Sequence, residues 1–310
     1  MLTIAIPVFE RTQYFEKALN SVLQQTYKCK VIVVDNASSH DFFKDICIRE
    51  GIEYVKNESN IGVFPNWNLC VSLSKTEFVL ILSDDDILET DYVERFTKTI
   101  EQYPDLDLFY SDFSTLNYPS LQITNNTHIL PFGYSNNGNN VIEYGIRYKL
   151  GFPVITSAIR KSKFSGFYNK EHGSNDWVWV YSNIQNFKIF GDEKKLIQRG
   201  IHDSNDSYNP ITLQRTSLSI AYLYDYLISF AKTEELKRLA KRNRNAAFSW
   251  FLFIADNTFI SQLNESKLLY ANFFKKMLSK SNTGILKYMP LSIRKNLYRI
   301  AIRVGLIDRM

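Results

Sequence analysis

Ser83-Asp84-Asp85-Asp86 closes the apolar run Phe78-Val79-Leu80-Ile81-Leu82. Three adjacent carboxylates repel one another, and a folded chain tolerates them where water or a cation lies among them. The triplet reads either as a solvated acidic loop or as oxygen ligands for a hard divalent ion such as Mg²⁺ or Mn²⁺. Such ions are commonly held by one or two carboxylates together with substrate phosphates. No Gly-x-Gly-x-x-Gly follows the first apolar run, and no Gly-x-x-x-x-Gly-Lys-Ser/Thr occurs anywhere. Without these cradles a phosphate-bearing ligand needs another source of positive charge.

Positioning such a triplet requires a strand behind it, and the flanking pattern supplies several. Leu2 to Val8 and Val31 to Val34 are short apolar runs, Ile52 to Val55 reads as a third strand, and the run before Ser83 is a fourth. Between them, apolar residues at Phe15, Ala18, Leu19, Val22 and Leu23, then at Phe42, Ile46 and Ile48, recur with helical spacing, and a third helix is expected around Trp67 to Leu73. Strands alternating with helices imply right-handed crossovers and a parallel sheet buried on both faces. On such a sheet ligands sit beyond the carboxyl ends of the strands, which here carry Phe9-Glu10-Arg11, Asp35-Asn36 and the aspartate triplet. Asn117 to Asn140 has loop composition, and Phe152 to Ile159 returns to strand character. Beyond about Tyr208 the spacing of Leu218, Tyr222, Leu223, Tyr226 and Leu227 turns to long helical periodicity. There is no internal repeat.

The chain has 310 residues, 45% of them hydrophobic and 22% charged, enough apolar material for one large or two small domains and too much for a disordered chain. Its formal charge of +5 is unevenly placed: six of the 37 basic residues and one of the 32 acids fall in residues 284–310, which leaves the rest formally neutral. A basic excess confined to one end argues against nucleic acid as a partner. Cys29, Cys47 and Cys70 form no Cys-x-x-Cys pair and are expected to be buried, reduced and structural. The first apolar run has neither a basic flank nor a small-residue cleavage site and reads as a strand, not a signal peptide, and no apolar stretch approaches the ~20 residues of a spanning helix.

Taken together, Ile4-Ala5-Ile6-Pro7-Val8-Phe9-Glu10, Ser21-Val22-Leu23-Gln24-Gln25-Thr26-Tyr27, Val33-Val34-Asp35-Asn36-Ala37-Ser38, Asn60-Ile61-Gly62 and Leu82-Ser83-Asp84-Asp85-Asp86 resemble glycosyltransferase family 2 in order and spacing. The resemblance covers about the first two thirds of the chain. It implies an α/β GT-A fold, Rossmann-like with a mainly parallel central sheet, that transfers sugars from nucleotide donors with inversion. The division expected is a nucleotide-sugar-binding and catalytic domain over 1–208 and an α-helical C-terminal region over 209–310. By the same resemblance Pro7, Phe9 and Glu10 line the base pocket, and Asp35 accepts a hydrogen bond from the base, usually uracil. Asp84 and Asp85 fall on the Asp-x-Asp region, with Asp85 the direct ligand of Mn²⁺ or Mg²⁺. Asn60 and Asn66 belong to the donor site, with Asn60, Gly62, Asn66 and Asn68 ordering the loop before the metal strand.

Further along, Gly166-Phe167 precedes Ser174-Asn175-Asp176-Trp177, so Asp176 matches the family's catalytic base, with Asn175 in place of the usual Glu. An Asp there can also cap a helix beginning at Trp177. His202 matches a late motif whose imidazole approaches the metal or diphosphate, against the alternative of polar surface, and Arg199 can serve as a diphosphate clamp. Glu10, Asn36 and Ser83 depart from the commonest pattern and bear on the choice of donor.

In residues 284–310, Ile293, Leu297, Ile300, Val304 and Ile307 recur at helical steps, with Arg294, Lys295, Arg299 and Arg303 on other faces. A basic amphipathic helix of this kind lies in an anionic membrane surface or docks on its own domain. The function expected is transfer from a UDP-sugar to a saccharide acceptor, polyprenyl-linked, for a surface polysaccharide such as O-antigen or capsule. Its place is the cytoplasm, peripheral at the inner face of the membrane. The alternatives are a sugar-phosphate nucleotidyltransferase and a non-catalytic nucleotide-sugar-binding protein.

Overall fold

The structure is a computed structural model that describes residues 1–118, 120–125, 130–148, 150–167, 173–205 and 209–255, with 259, 272–274 and 276–277. The amphipathic tail expected at 284–310 lies outside the described residues. Along the chain run β1 (Leu2–Val8), α1 (Phe15–Leu23), β2 (Lys30–Asp35), α2 (Phe42–Glu50), β3 (Glu53–Lys56), α3 (Val63–Leu73) and β4 (Phe78–Ile81). There follow β5 (Ile87–Leu88), α4 (Tyr92–Gln102), β6 (Leu108–Asn117), β7 (Gln122–Thr124), β8 (Gly133–Ser135), α5 (Asn139–Tyr148) and β9 (Ala158–Arg160). The last described elements are α6 (Asn175–Asn183), β10 (Ile189–Ile201), α7 (Pro210–Leu227) and α8 (Glu234–Ile254).

Two compact units share these elements. The first takes Met1–Val141, Gly151–Asn169 and Ser182–Asp203, and the second takes Ile142–Leu150, Lys170–Tyr181 and Ser204–Met310. The first holds one sheet in the order β3-β2-β1-β4-β9-β6-β10-β5. Strands β3, β2, β1 and β4 run parallel, as do β6 and β10, while β9 lies antiparallel between β4 and β6. The β4 strand is buried along its whole length, consistent with a strand covered on both faces. Helix α1 turns Phe15, Ala18, Leu19 and Val22 inward. Edge-to-face pairs Phe78–Phe96, Phe96–Phe109 and Tyr92–Phe109, with centroids 5.2 to 5.7 Å apart, fix α4 against the sheet.

Several element boundaries differ from those expected. The stretch read as a loop over Asn117 to Asn140 contains β7 and β8, three residues each, paired with β6 and β10. Strands this short carry too few residues to show a period and owe their hydrogen bonds to distant partners. Of the expected strand from Phe152 to Ile159 only the end is extended pairing, in β9. Strand β10 has 13 residues, and its register against β6 shifts around Lys195, a bulge in the charged run Asp192-Glu193-Lys194-Lys195.

In the second unit α7 and α8 are the long helices expected after Tyr208. Asn209 caps α7, its side chain accepting from the Ile211 N–H at 2.9 Å with Pro210 at the first helical position, and Thr233 caps α8 through the Leu236 N–H. Arg244 of α8 pairs with Asp225 of α7 at 2.8 Å. No helix among the described residues is long and apolar enough to cross a membrane.

Candidate active site

The aspartate triplet forms a tight turn at the end of β4, closed by the Asp86 N–H donating to the Ser83 carbonyl at 3.1 Å. Asp84, Asp85 and Asp86 are 7%, 5% and 7% exposed, which rules out a solvated loop. Each carboxylate has its own partner. Asp84 pairs with the Arg11 guanidinium, through Nη2 and through Nε at 3.3 Å. Asp85 lies 3.2 Å from Arg11 Nη2 and 2.9 Å from His202 Nε2. Asp86 points the other way and accepts the Gly200 N–H of β10 at 2.9 Å. Burial, offset in part by Arg11, pushes the Asp84 carboxyl up to about 6, and burial followed by the charge of Asp85 pushes Asp86 up to about 7.

His202 is buried, not polar surface. Its ring stacks on Tyr14 at 4.6 Å, and Tyr14 in turn lies 4.2 Å from Tyr118. Nε2 of His202 stands 2.9 Å from both Asp85 Oδ2 and Arg11 Nη1. A single ring nitrogen cannot donate to a carboxylate and accept from a guanidinium at once. A divalent ion would satisfy both the imidazole lone pair and the carboxylate, so the donor chemistry of two carboxylates and an imidazole fits Mn²⁺. Among the described residues no three His, Cys, Asp or Glu side chains stand grouped to hold an ion as they are. Asp84, Asp85 and His202 converge instead on Arg11.

The turn is braced from α1. Gln25 is buried, donates to the carbonyls of Ser21 and Glu89 and accepts the Val93 N–H, while Thr26 N–H donates to the Thr90 carbonyl at 2.9 Å. The Leu88 N–H donates to Ser21 Oγ at 3.1 Å. The Gln24-Gln25-Thr26 stretch thus clamps the segment that leaves the triplet.

At the end of β2, Asp35 is fully buried, and its carboxylate accepts from the Ser38 N–H, the Ser38 hydroxyl and the Tyr54 hydroxyl at 2.6 to 2.8 Å. Where a bond from a nucleobase is expected, both oxygens hold the loop and β3. Asn66 is likewise buried, accepting from Asn57 and donating to the Val34 carbonyl. Asn36 donates to Asn60, which also accepts the Gly62 N–H, and Asn68 binds both the N–H and carbonyl of Phe167. Asn36, Asn60 and Asn66 thus tie down the 57–62 loop, which precedes α3 and not the metal strand β4 directly, while Asn68, inside α3, holds Phe167.

Pro7 lies half-buried in β1, and Phe9 is 42% exposed just beyond it. Glu10 has φ 56°, and its carboxylate accepts from the Ser39 N–H and hydroxyl, turning toward the loop after β2. Arg199 is exposed, its guanidinium 5.1 Å from the Phe113 ring centroid and its charge felt by Asp86. In the second unit Asp176 sits in the first turn of α6, which starts at Asn175, two residues before the expected Trp177. A carboxylate there is favoured by the unpaired N–H groups of the helix start. Gly173 packs so closely on α7 that a Cβ would lie 2.1 Å from the Thr216 nitrogen, and its N–H donates to Ser219 Oγ, fixing the approach to α6.

A model described as glycosyl transferase family 2 matches residues 3–158, half of the chain, from the second residue of β1 through β6 and on to the start of β9. The chain belongs to glycosyl transferase family 2. One relative within reach of this family 2 chain is the glycosyltransferase GlyA of Streptococcus pneumoniae, 34% identical over 107 residues, which cover 33% of this chain and only 15% of that protein. Among solved structures, S. aureus TarS 1-349 in complex with UDP-GlcNAc superposes with a TM-score of 0.61 at 13% identity, over 98% of this chain and 92% of that one. The mannosyltransferase PcManGT from Pyrobaculum calidifontis, in complex with GDP-Man and Mn²⁺, gives 0.55 at 15% identity over 98% and 86%. The fold of the family 2 chain is therefore GT-A, as its sequence implies. Arg11, Tyr14, Gly200 and Gln25 are the site residues that gained no role from sequence; Arg11 carried a signal in its place at a strand end and Gln25 in its place in the Ser21–Tyr27 motif.

Proposed function

We propose that this chain is a metal-dependent, inverting glycosyltransferase that moves a sugar from a nucleotide-diphosphate donor, a UDP-sugar, to a saccharide acceptor. The observation that carries the reading is the convergence of Asp84, Asp85 and His202 on the Arg11 guanidinium at the carboxyl end of the sheet, where ligands of such sheets sit; the UDP-GlcNAc complex of TarS, a structure of the same fold, supports a nucleotide sugar as that ligand. Asp85 and His202 would hold the ion, with Asp84 beside them, and the Mn²⁺ in the PcManGT complex supports that choice. When bound, the ion supplies Lewis-acid neutralisation of the departing diphosphate.

The residues of the chain do the rest. Phe9 offers an exposed ring for the base beside Pro7 and Glu10, while Asp35, Asn60 and Asn66 act through the loops they hold. Arg199 meets the diphosphate. Asp176 takes the proton of the acceptor hydroxyl as its oxygen bonds to the anomeric carbon, and the bond from that carbon to the diphosphate breaks on the opposite face. One displacement with one base inverts the centre. A lipid-linked acceptor, a place in surface-polysaccharide synthesis and a peripheral site at the inner face of the cytoplasmic membrane rest on the basic tail sequence.

The reading is tested by screening nucleotide sugars for hydrolysis with and without Mn²⁺. Release of UDP from one donor, dependent on Mn²⁺, is the expected result. The absence of both binding and turnover of every nucleotide sugar screened would overturn it.

A further inference from the structure

We infer that Arg11 is a resident counter-cation that competes with the divalent ion for Asp84, Asp85 and His202; this rests on the metal-dependent reading above. Arg11 is 73 residues from Asp84 and 191 from His202 in sequence, yet its guanidinium reaches all three side chains. It is placed by a fixed backbone. Its N–H donates to the Phe9 carbonyl at 2.6 Å, and the preceding Glu10 holds a left-handed φ of 56° with its N–H on Ser38 Oγ and its carboxylate on Ser39. The side chain is less constrained, 23% exposed and alongside Tyr14 at 5.6 Å. Withdrawal of Arg11 is therefore a rotation of its side chain, with no rearrangement of the strand end.

The two cations exclude each other. An ion on Asp85 and His202 would stand against the guanidinium that already faces the same oxygen and the same nitrogen, and like charges at that range repel. Exchange also resolves the conflict at His202 Nε2, which cannot satisfy carboxylate and guanidinium together. With Arg11 displaced but near, the loaded site carries excess positive charge that an anionic diphosphate offsets. The consequence is weak ion binding by the chain alone and tighter binding once the donor is present.

The test is a Mn²⁺ titration, following free Mn²⁺ by electron paramagnetic resonance, on the wild-type chain, Arg11→Gln and Arg11→Met, each with and without UDP. Folding is checked by circular dichroism, and Arg11→Met keeps the apolar stem beside Tyr14 should Arg11→Gln not fold. Loss of a charge-assisted competitor is expected to tighten Mn²⁺ binding without UDP by about tenfold or more. Wild-type binding with UDP but no tightening in a folded variant overturns the competition alone. Failure of the wild type to bind Mn²⁺ even with UDP overturns the metal reading and the inference with it.

Discussion

Gly200 of β10 lies against the backbone of Asp85: a Cβ on Gly200 would fall 2.2 Å from the Asp85 carbonyl oxygen and 2.9 Å from its carbon. The neighbour is main chain inside a tight turn, so it cannot rotate away. Gly200→Ala is expected to push the triplet turn off β10 and break the bond from Gly200 N–H to Asp86, at an overpacking cost of about 1–3 kcal/mol. Thermal melting should show a lowered but cooperative transition, and Mn²⁺ binding should weaken in the folded protein. Unchanged melting and ion binding would mean that the turn has slack the geometry denies.

Asp176→Asn keeps the size of the side chain and removes its basicity. If Asp176 is the general base, UDP and Mn²⁺ binding measured by calorimetry should persist while transfer falls by roughly 10²–10⁴-fold. Transfer within a few-fold of wild type would remove Asp176 from the mechanism.

The thiols should be slow. Burial pushes Cys29 up to about 11, and burial followed by the charge of Asp35 pushes Cys47 up to about 12, while Cys70, fully enclosed, is raised further. The neutral thiol is the favoured form below these values, so at pH 8 a group near 11 is about one part in a thousand thiolate, and its reactivity climbs about tenfold per pH unit above that. Iodoacetamide labelling read by peptide mass spectrometry should mark the half-buried Cys29 first and the buried Cys47 and Cys70 only in denaturant. Labelling of Cys70 in the native chain at the rate seen in denaturant would contradict this.

Deleting residues 284–310 is expected to release the protein from vesicles rich in anionic lipid, in a co-sedimentation assay that full-length protein passes at low salt. Equal sedimentation of the two chains would take the membrane role away from this basic segment.

Strands β1, β2 and β4 were legible because each shows as a buried apolar run with polar residues beyond its carboxyl end, while β3, charged at both ends and half-buried between, was legible from its place in the alternation of strands and helices. Asp85 and His202 were legible as partners across 117 residues only through the family motif, since nothing local in either segment points to the other. The charge problem of the triplet was visible too, but its solution was not. One acid is answered by a backbone N–H of β10 and another by Arg11, and neither partner leaves a periodic trace in the sequence. Helix α3 begins at Val63, ahead of the expected Trp67, because Pro65 lies in the first turn, where its missing N–H costs nothing. Strand β10 escaped notice because four consecutive charged residues, Asp192 to Lys195, run through its middle and break any apolar run or alternation.

The guanidinium between Asp84 and Asp85 also bears on how this molecule comes into being. Many small metalloproteins cannot fold until their ion arrives, and chelators unfold them. A chain that brings its own cation to buried carboxylates needs no ion to complete its architecture. On the metal-dependent reading, EDTA should silence transfer while the chain keeps its circular dichroism and melts cooperatively, with a transition lowered by no more than the ion's own binding energy.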